Sequence, residues 1–458
     1  MTRPSVWQDR QPAIPDPPTP LDGAVDVVVI GAGITGIVTA LLLARAGRSV
    51  TVLEAAELGA GTTGRSTAKV SVLQGTRLSA IASRHGVDVA KNYVRANQQG
   101  QAWLREFCQR HEVDHQVRDA VTFDWLGATG AKREHEAARA VGLPVEWHDE
   151  LPVPWPTGGG VVLADQFQVD PLALLQMLAV EAEEHGAVVM TGQRVRRVGL
   201  RAPYRVHTDH GALDADLVVV ATNLPILDRG GFFARMVPQR SYAVVAYVPG
   251  HGVNDMFISA QSPTRSVRDL GGDVVMVGGE GHVTGRSTPT SMRLERLRDW
   301  TREVFPGADF THGWSAQDYS PVHELPYAGP LLPGHDRLMM AGGYSKWGFT
   351  NAIAAALALA GRVLGGHQEW ASVMQPWHGH ELRGGVSAAR ANASVALELG
   401  RGWLRPKQAL DGRVCPHVGG VVTWNDAESS WDCPLHGSRF DDAGEVLEGP
   451  ATRGLAGR

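Results

Sequence analysis

Only three cysteines occur in the 458 residues, Cys108, Cys415 and Cys433. So few thiols exclude a disulfide-stapled scaffold and fit a reducing compartment. Cys108 sits in a helical stretch, Ala102-Trp-Leu-Arg-Glu-Phe-Cys108, and reads as a small buried apolar side chain. Long apolar runs are also missing. The longest, around Ala352 to Leu364, is alanine-rich and too short to cross a bilayer. Met1 to Pro20 is polar and proline-rich, without the apolar core of a secretory signal. A soluble cytoplasmic protein is therefore expected. Basic charge is not in excess, and a formal net charge of -5 offers no surface for nucleic acid. No internal repeat or low-complexity tract stands out. The 43% hydrophobic content, with 54 glycines and 27 prolines spread along the chain, suits two or three turn-rich globular domains.

Two of the three cysteines belong to the most informative pattern. Cys415-Pro-His417 is followed, after fifteen residues, by Cys433-Pro-Leu-His436-Gly437-Ser438. Zinc could use these four ligands, but a zinc finger usually pairs cysteine with cysteine and histidine with histidine. Here each pair is mixed, as a 2Fe-2S centre needs when two thiolates hold one iron and two imidazoles the other. Gly419, Gly420 and Gly437 would let backbone approach the sulfides. The segment resembles a Rieske domain, through Cys-Pro-His-Val-Gly and Cys-Pro-Leu-His-Gly-Ser-Arg-Phe. Gly420 and Leu435 stand where respiratory-chain members carry an extra disulfide, which implies the disulfide-free, ferredoxin-like branch. Only Arg405 to Val414 separates a helical stretch from Cys415, so the base of the small β domain is expected to be missing or supplied by the rest of the protein.

A nucleotide site opens the chain. Val25-Asp-Val-Val-Val-Ile-Gly31-Ala-Gly33-Ile34-Thr35-Gly36 runs from a buried strand into the apolar helix Ile37 to Ala46, and Glu54 closes the next strand 18 residues after Gly36. Gly31 permits the tight turn, Gly33 admits a pyrophosphate, and Gly36 lets helix and strand pack closely. Glu54 is placed to accept from a ribose hydroxyl. A second loop follows at once, Gly59-Ala-Gly-Thr-Thr63-Gly64-Arg65-Ser66-Thr67-Ala68-Lys69, and suits a dinucleotide that needs extra backbone donors. Two distant segments add to it. One includes Val195 and the strand ending at Ala221-Thr222. The other is Gly342-Gly343-Tyr-Ser-Lys346-Trp347-Gly348-Phe-Thr350, where a strand turns into a helix amino terminus able to hold a flavin carbonyl edge. No second dinucleotide fingerprint appears, which disfavours NAD(P)H as the electron source.

Residues 20 to about 370 resemble the D-amino-acid oxidase (DAO) family of FAD-dependent oxidoreductases, and with the tail the chain resembles the bacterial subfamily fused to a Rieske domain. Gly61-Thr-Thr-Gly-Arg-Ser-Thr-Ala-Lys69, Pro238-Gln-Arg-Ser-Tyr242, Gly278-Gly-Glu-Gly-His282, Trp314-Ser-Ala-Gln-Asp318 and Lys346-Trp-Gly-Phe-Thr350 carry the closer match. The resemblance implies an α/β, doubly wound, Rossmann-like FAD-binding domain over 22-75, 165-230 and 310-370. An antiparallel substrate layer over 80-160 and 235-310 would interleave with it. A helical connector, 371-404, would lead to a small all-β domain over 405-458.

The residues expected to hold FAD are Gly31, Gly33, Ile34, Thr35, Gly36, Glu54, Thr63, Gly64, Arg65, Ser66, Thr67, Ala68, Val195, Ala221, Thr222, Gly343, Trp347, Gly348 and Thr350. Those expected to hold the cluster are Cys415, His417, Cys433 and His436. For catalysis, Arg240 and Tyr242 are candidates to bind a substrate carboxylate, His282 to face the flavin, and Lys346 to contact it. A structural ion pair for Arg240 and a simple turn role for His282 stay open. The implied activity is oxidation of a small amine or amino-acid-like substrate at a CH-NH or CH-NH2 carbon, with electrons leaving FAD singly through the cluster to an external acceptor. The Ser438 hydroxyl could bond a sulfide, and the ligand imidazoles, exposed at the domain tip, would be the exit. Two alternatives remain at this point. One is an oxygen-using FAD oxidase with a degenerate tail, and the other a non-catalytic redox module.

Overall fold

The computed structural model describes residues 3-10, 19-404 and 413-456. A mostly parallel sheet is built on Ala24–Ile30, which pairs with Gly211–Val220 on one side and Val50–Leu53 on the other. Val27 to Ile30 are all nearly inaccessible, so a continuous β-branched run suits a strand covered on both faces. Leu338–Gly342 and Tyr327–Pro330 extend the sheet one way, and Val188–Met190 ends it the other way. The helices Ile34–Arg45, Pro171–Glu184 and Gly348–Val363 pack on one face. The strands Val195–Val198 and Tyr204–Thr208, with Phe232, pack on the other. Asp170 caps Pro171–Glu184, its side chain accepting from the N–H of Leu172 and Ala173.

A nine-stranded sheet lies against this layer, antiparallel except where Met256–Ser259 runs beside His115–Phe123. Its long strands are Asp309–Pro321, Met236–Tyr247 and Val274–Val283 at one end, with His115–Phe123 and Gly160–Val169 toward the other. The two sheets interleave along the chain. Their boundaries differ from the sequence plan at two points, because Gly160–Val169 and Asp309–Pro321 both belong to the second sheet. In Met236–Tyr247, Tyr242 and Val244 join one apolar cluster while Ala243 and Val245 join another, the period-two division of a strand with two covered faces.

The third unit is a four-stranded antiparallel sheet, Thr423–Asn425, Ser430–Asp432, Arg439–Phe440 and Val446–Glu448. Cys415, Val422, Cys433, Leu435 and Phe440 form its small core, against which Val395 and Leu399 of the helix Gly385–Trp403 pack. Residues 405-412 of the approach to Cys415 lie outside the described residues. The rest of the protein supplies the floor of this unit. Gly437 lies against Pro238, where a Cβ would come within 2.5 Å, and Gly285 lies against Cys433 and Pro434. The Gln317 side chain donates to the Gly437 carbonyl at 2.8 Å. Asp426 accepts from the backbone N–H of Thr290 and Ser291 at the start of the helix Ser291–Val304.

Candidate functional site: two cofactor sites meeting at a buried interface

The first site is a cleft of about 420 Å³ at the carboxyl ends of the parallel strands. Gly31 has φ +104°, and a Cβ there would meet the Ala221 carbonyl at 2.9 Å. A Cβ at Gly36 would come within 1.9 Å of the Gly31 carbonyl, which is why the helix can start so close to its strand. The Glu54 carboxylate accepts from the N–H of Ala32 and Ala56 at 2.8 and 2.9 Å, and burial raises its pKa. The Thr63 hydroxyl accepts from the Ile34 N–H at 3.2 Å, tying the second loop to the first.

Of the residues expected to hold FAD, the cleft is lined by Gly31, Gly33, Ile34, Thr35, Glu54, Thr63, Arg65, Ser66, Val195, Ala221, Thr222 and Gly348. Gly36, Gly64, Thr67, Ala68, Gly343, Trp347 and Thr350 do not line it. The Thr350 hydroxyl is buried between the amides of Gln74 and Asn97, at 2.9 and 2.6 Å. Gly343, at φ +75°, packs on Pro321 and Met236. Local pattern missed several lining residues. Gln193, Arg194, Asn223, Asp318 and Tyr344 come from scattered segments, and Gln8 comes from the short amino-terminal helix Val6–Arg10. In that helix Trp7 donates to the Ser66 carbonyl at 2.8 Å. No motif marks Gln8 or Gln193, whereas Asp318 and Tyr344 fall inside segments that the sequence singles out, Tyr344 near the expected flavin edge.

The catalytic expectations divide by where each side chain lies relative to the cleft. Lys346 lines the cleft. Its ammonium would lie 3.0 Å from a Cβ placed on Gly281, beside the unpartnered hydroxyl of Ser241. The Lys346 side chain is exposed along the open cleft, and desolvation by the surrounding protein lowers its pKa, with Asp318 opposing. Asp318 is held by the Asn223 amide at 2.6 Å and by the Lys346 N–H. Ser345 and Lys346 both have positive φ, 52° and 75°, a strained pair at the turn that presents the ammonium.

None of Arg240, Tyr242 and His282 lines this cleft. Tyr242 lies in the apolar cluster of the opposite face with Val244 and Val277. Its hydroxyl meets Nε2 of His282 at 3.1 Å with the rings stacked. Burial holds the His282 imidazole down at about 4, so it is neutral near pH 7. Arg240 is 0% exposed and faces the small domain, 3.6 Å from Asp432 and 4.0 Å from Glu448. Arg65 with Glu428, and Arg439 with Glu428, Asp432 and Glu448, complete a network of three cations and three carboxylates. Such balance keeps buried charges tolerable where the two units meet.

The second site holds the four ligands in two pairs. The Cys415 and Cys433 thiols are buried and free, and a hydrogen bond from Cys433 lowers the Cys415 pKa against the cost of burial. The His417 and His436 rings lie 5.2 Å apart, centroid to centroid. Among the described residues no three candidate ligands converge on one ion. Two pairs are what two irons take. Nε2 of His417 meets Asp228 at 2.6 Å, leaving Nδ1 for iron, and Nδ1 of His436 is buried without a partner. Gly420 lets the ligand loops close, since a Cβ there would meet the Cys433 sulfur at 2.9 Å. This donor set fits a 2Fe-2S cluster. The expectation of exposed imidazoles is corrected, because Phe233 packs edge-on against both rings, 5.2 and 4.9 Å away. The His417 side chain is only 4% exposed.

An interleaved two-sheet flavoprotein body carrying a mixed cysteine and histidine cluster domain is the class these features define. Residues 26–362 match the family model of the FAD dependent oxidoreductases (DAO), and residues 407–457 match the Rieske [2Fe-2S] domain. The chain belongs to the DAO family of FAD-dependent oxidoreductases and carries FAD and a Rieske 2Fe-2S cluster as its cofactors. It is 28% identical over 475 residues to YhfW of Bacillus subtilis (strain 168), a Rieske 2Fe-2S iron-sulfur protein by name, covering 95% of this chain and 93% of the relative. Its fold is similar to that of L-proline dehydrogenase from P. horikoshii, with TM-score 0.65, 19% identity and 76% and 96% of the two chains covered. Glycine oxidase from Geobacillus kaustophilus is similar at TM-score 0.63 and 18% identity, over 76% and 96%. Among the described residues no helix is long and apolar enough to cross a membrane.

Proposed function

We propose that this protein oxidises a small amine or amino-acid-like substrate at FAD and passes the electrons one at a time through the Rieske cluster to an acceptor outside the chain. FAD takes two electrons together and can release them singly, and a 2Fe-2S cluster carries one. One observation carries the reading: a single short segment reaches from one cofactor site to the other. Ala221, Thr222, Asn223 and Ile226 line the dinucleotide cleft, and within the next seven residues Asp228 and Phe233 touch the ligand histidines. The imidazole edge is thus turned toward the flavoprotein body.

On the substrate side, the Lys346 ammonium supports an anionic group such as a carboxylate, and the Ser241 hydroxyl beside it supports orientation through a hydrogen bond. Names of the similar structures point to amino-acid substrates. They include one oxidase and one dehydrogenase, so they do not choose the acceptor. The complete ligand set argues against a degenerate tail.

The test is anaerobic mixing with a panel of amino acids and secondary amines, followed by rapid freezing and EPR. A substrate should bleach the flavin and raise the signal of the reduced cluster within turnover time. Bleaching with no cluster signal would transfer the assignment to an oxygen-using oxidase, and no bleaching by any member to a non-catalytic redox module.

A further inference from the structure

The carboxyl-terminal segment Val446 to Thr452 has two working faces. One face lines the dinucleotide cleft through Leu447, Glu448, Gly449, Ala451 and Thr452. The other rests on the second ligand loop of the cluster. Gly449, at φ +102°, lies so close that a Cβ would come within 2.5 Å of Ser438 Cα. The Ala451 N–H donates to the Ser438 hydroxyl at 3.1 Å. The flavoprotein body clamps both ends of the segment, since the Arg194 guanidinium donates to the Val446 carbonyl at 2.8 Å and Arg196 donates to that of Thr452.

We propose that this strap is part of the FAD site, so that the cluster domain encloses the dinucleotide and sets how fast it leaves. A dinucleotide seated on the glycine loops would be covered on its open side by residues 447 to 452, and it would leave only after the strap lifts from Arg194 and Arg196. Docking of the cluster domain and retention of FAD are then linked, each strengthening the other. The strap is also a short physical connection from the cleft to Ser438, two residues beyond His436.

Release of FAD from the full-length protein with both cofactors bound tests this, read by the fluorescence of free flavin after dilution. Three variants separate the strap from its surroundings. Arg196→Gln removes the clamp on Thr452. Asp209→Asn removes the ion pair that Arg196 also makes, 2.7 Å away, and leaves the clamp in place. Leu447→Asp places a carboxylate on the cleft side of the strap. Arg196→Gln and Leu447→Asp should each release FAD roughly tenfold faster, the scale of one charge-assisted hydrogen bond. Iron content and the cluster EPR signal should be unchanged, and Asp209→Asn should match the parent protein. Release within about twofold of the parent in both strap variants would overturn the proposal. Equal acceleration by Asp209→Asn and Arg196→Gln would overturn it as well.

Discussion

Nε2 of His417 lies 2.6 Å from a carboxylate oxygen of Asp228, which joins a cluster ligand to the segment that leaves the FAD cleft. A carboxylate on the outer nitrogen of a ligand histidine orients the ring and makes it a stronger donor to the metal. A stronger donor favours the oxidised cluster. Asp228→Asn should therefore raise the cluster midpoint potential, on the order of 60 mV for a tenfold change in a one-electron couple. EPR-monitored redox titration measures this, and an unchanged potential would remove Asp228 from any role in tuning the cluster.

Arg240 gives the sharpest test of the domain interface. Its removal leaves Asp432 buried beside one fewer cation, a change that costs about 3–5 kcal/mol in buried ion-pair networks. Arg240→Met should lower the melting temperature and loosen iron, while the apparent KM for substrate stays at the parent value. A rise in KM without loss of stability would restore the carboxylate-binding role expected from sequence.

Lys346→Met should have the opposite signature. The ammonium lines the cleft and takes no part in the interface network. The apparent KM for a carboxylate-bearing substrate should rise roughly tenfold or more, while iron content and melting temperature stay near those of the parent. Stopped-flow reduction of the flavin checks it, and Lys346→Arg should recover part of the loss.

Acid should loosen the cluster domain through Asp426. Burial raises its pKa, but hydrogen bonds from Ser291 and Thr290 outweigh that and hold it down at about 2, below the ordinary 3.8. A carboxyl depressed in the folded state contributes stability above its unfolded pKa and loses it as pH falls through the folded value. The advantage of the parent over Asp426→Asn should be complete above pH 4 and fade toward pH 2. Unfolding curves of the two proteins at stepped pH measure it, and a difference that persists undiminished at pH 2 would contradict the assignment.

Cys108 should be inert. It is 0% exposed, and burial pushes its thiol up to about 12, so little thiolate forms near neutral pH. With cluster in place, alkylating reagents should label no cysteine until the protein unfolds, as mass spectrometry of the intact chain would show. Labelling of Cys108 in the native protein would mean that the helix Val87–Arg110 opens locally.

Much of this chain could be read directly because its signals are local. The turn at Gly31, the close approach at Gly36 and the spacing of Cys415, His417, Cys433 and His436 each depend on a few neighbouring residues. Cofactor chemistry therefore follows from sequence alone. The faces of Met236–Tyr247 did not yield in the same way. Arg240 and Tyr242 were candidates because a guanidinium offers two parallel donors to a substrate carboxylate, yet the strand is covered on both faces and nothing local says which face meets the cleft. Side chains alternate with period two, so Ser241 points toward Lys346 while Tyr242 packs on the far side.

By itself, then, the sequence determined two cofactors, the ligands of one and the glycine cradle of the other. Only tertiary structure decided that the cluster histidines face inward, that Arg240 serves the interface, and that residues 447 to 452 reach back over the FAD cleft. These are contacts between segments far apart in the chain, chosen by which buried charges can pair and which surfaces can close on one another. No short window of sequence contains that information.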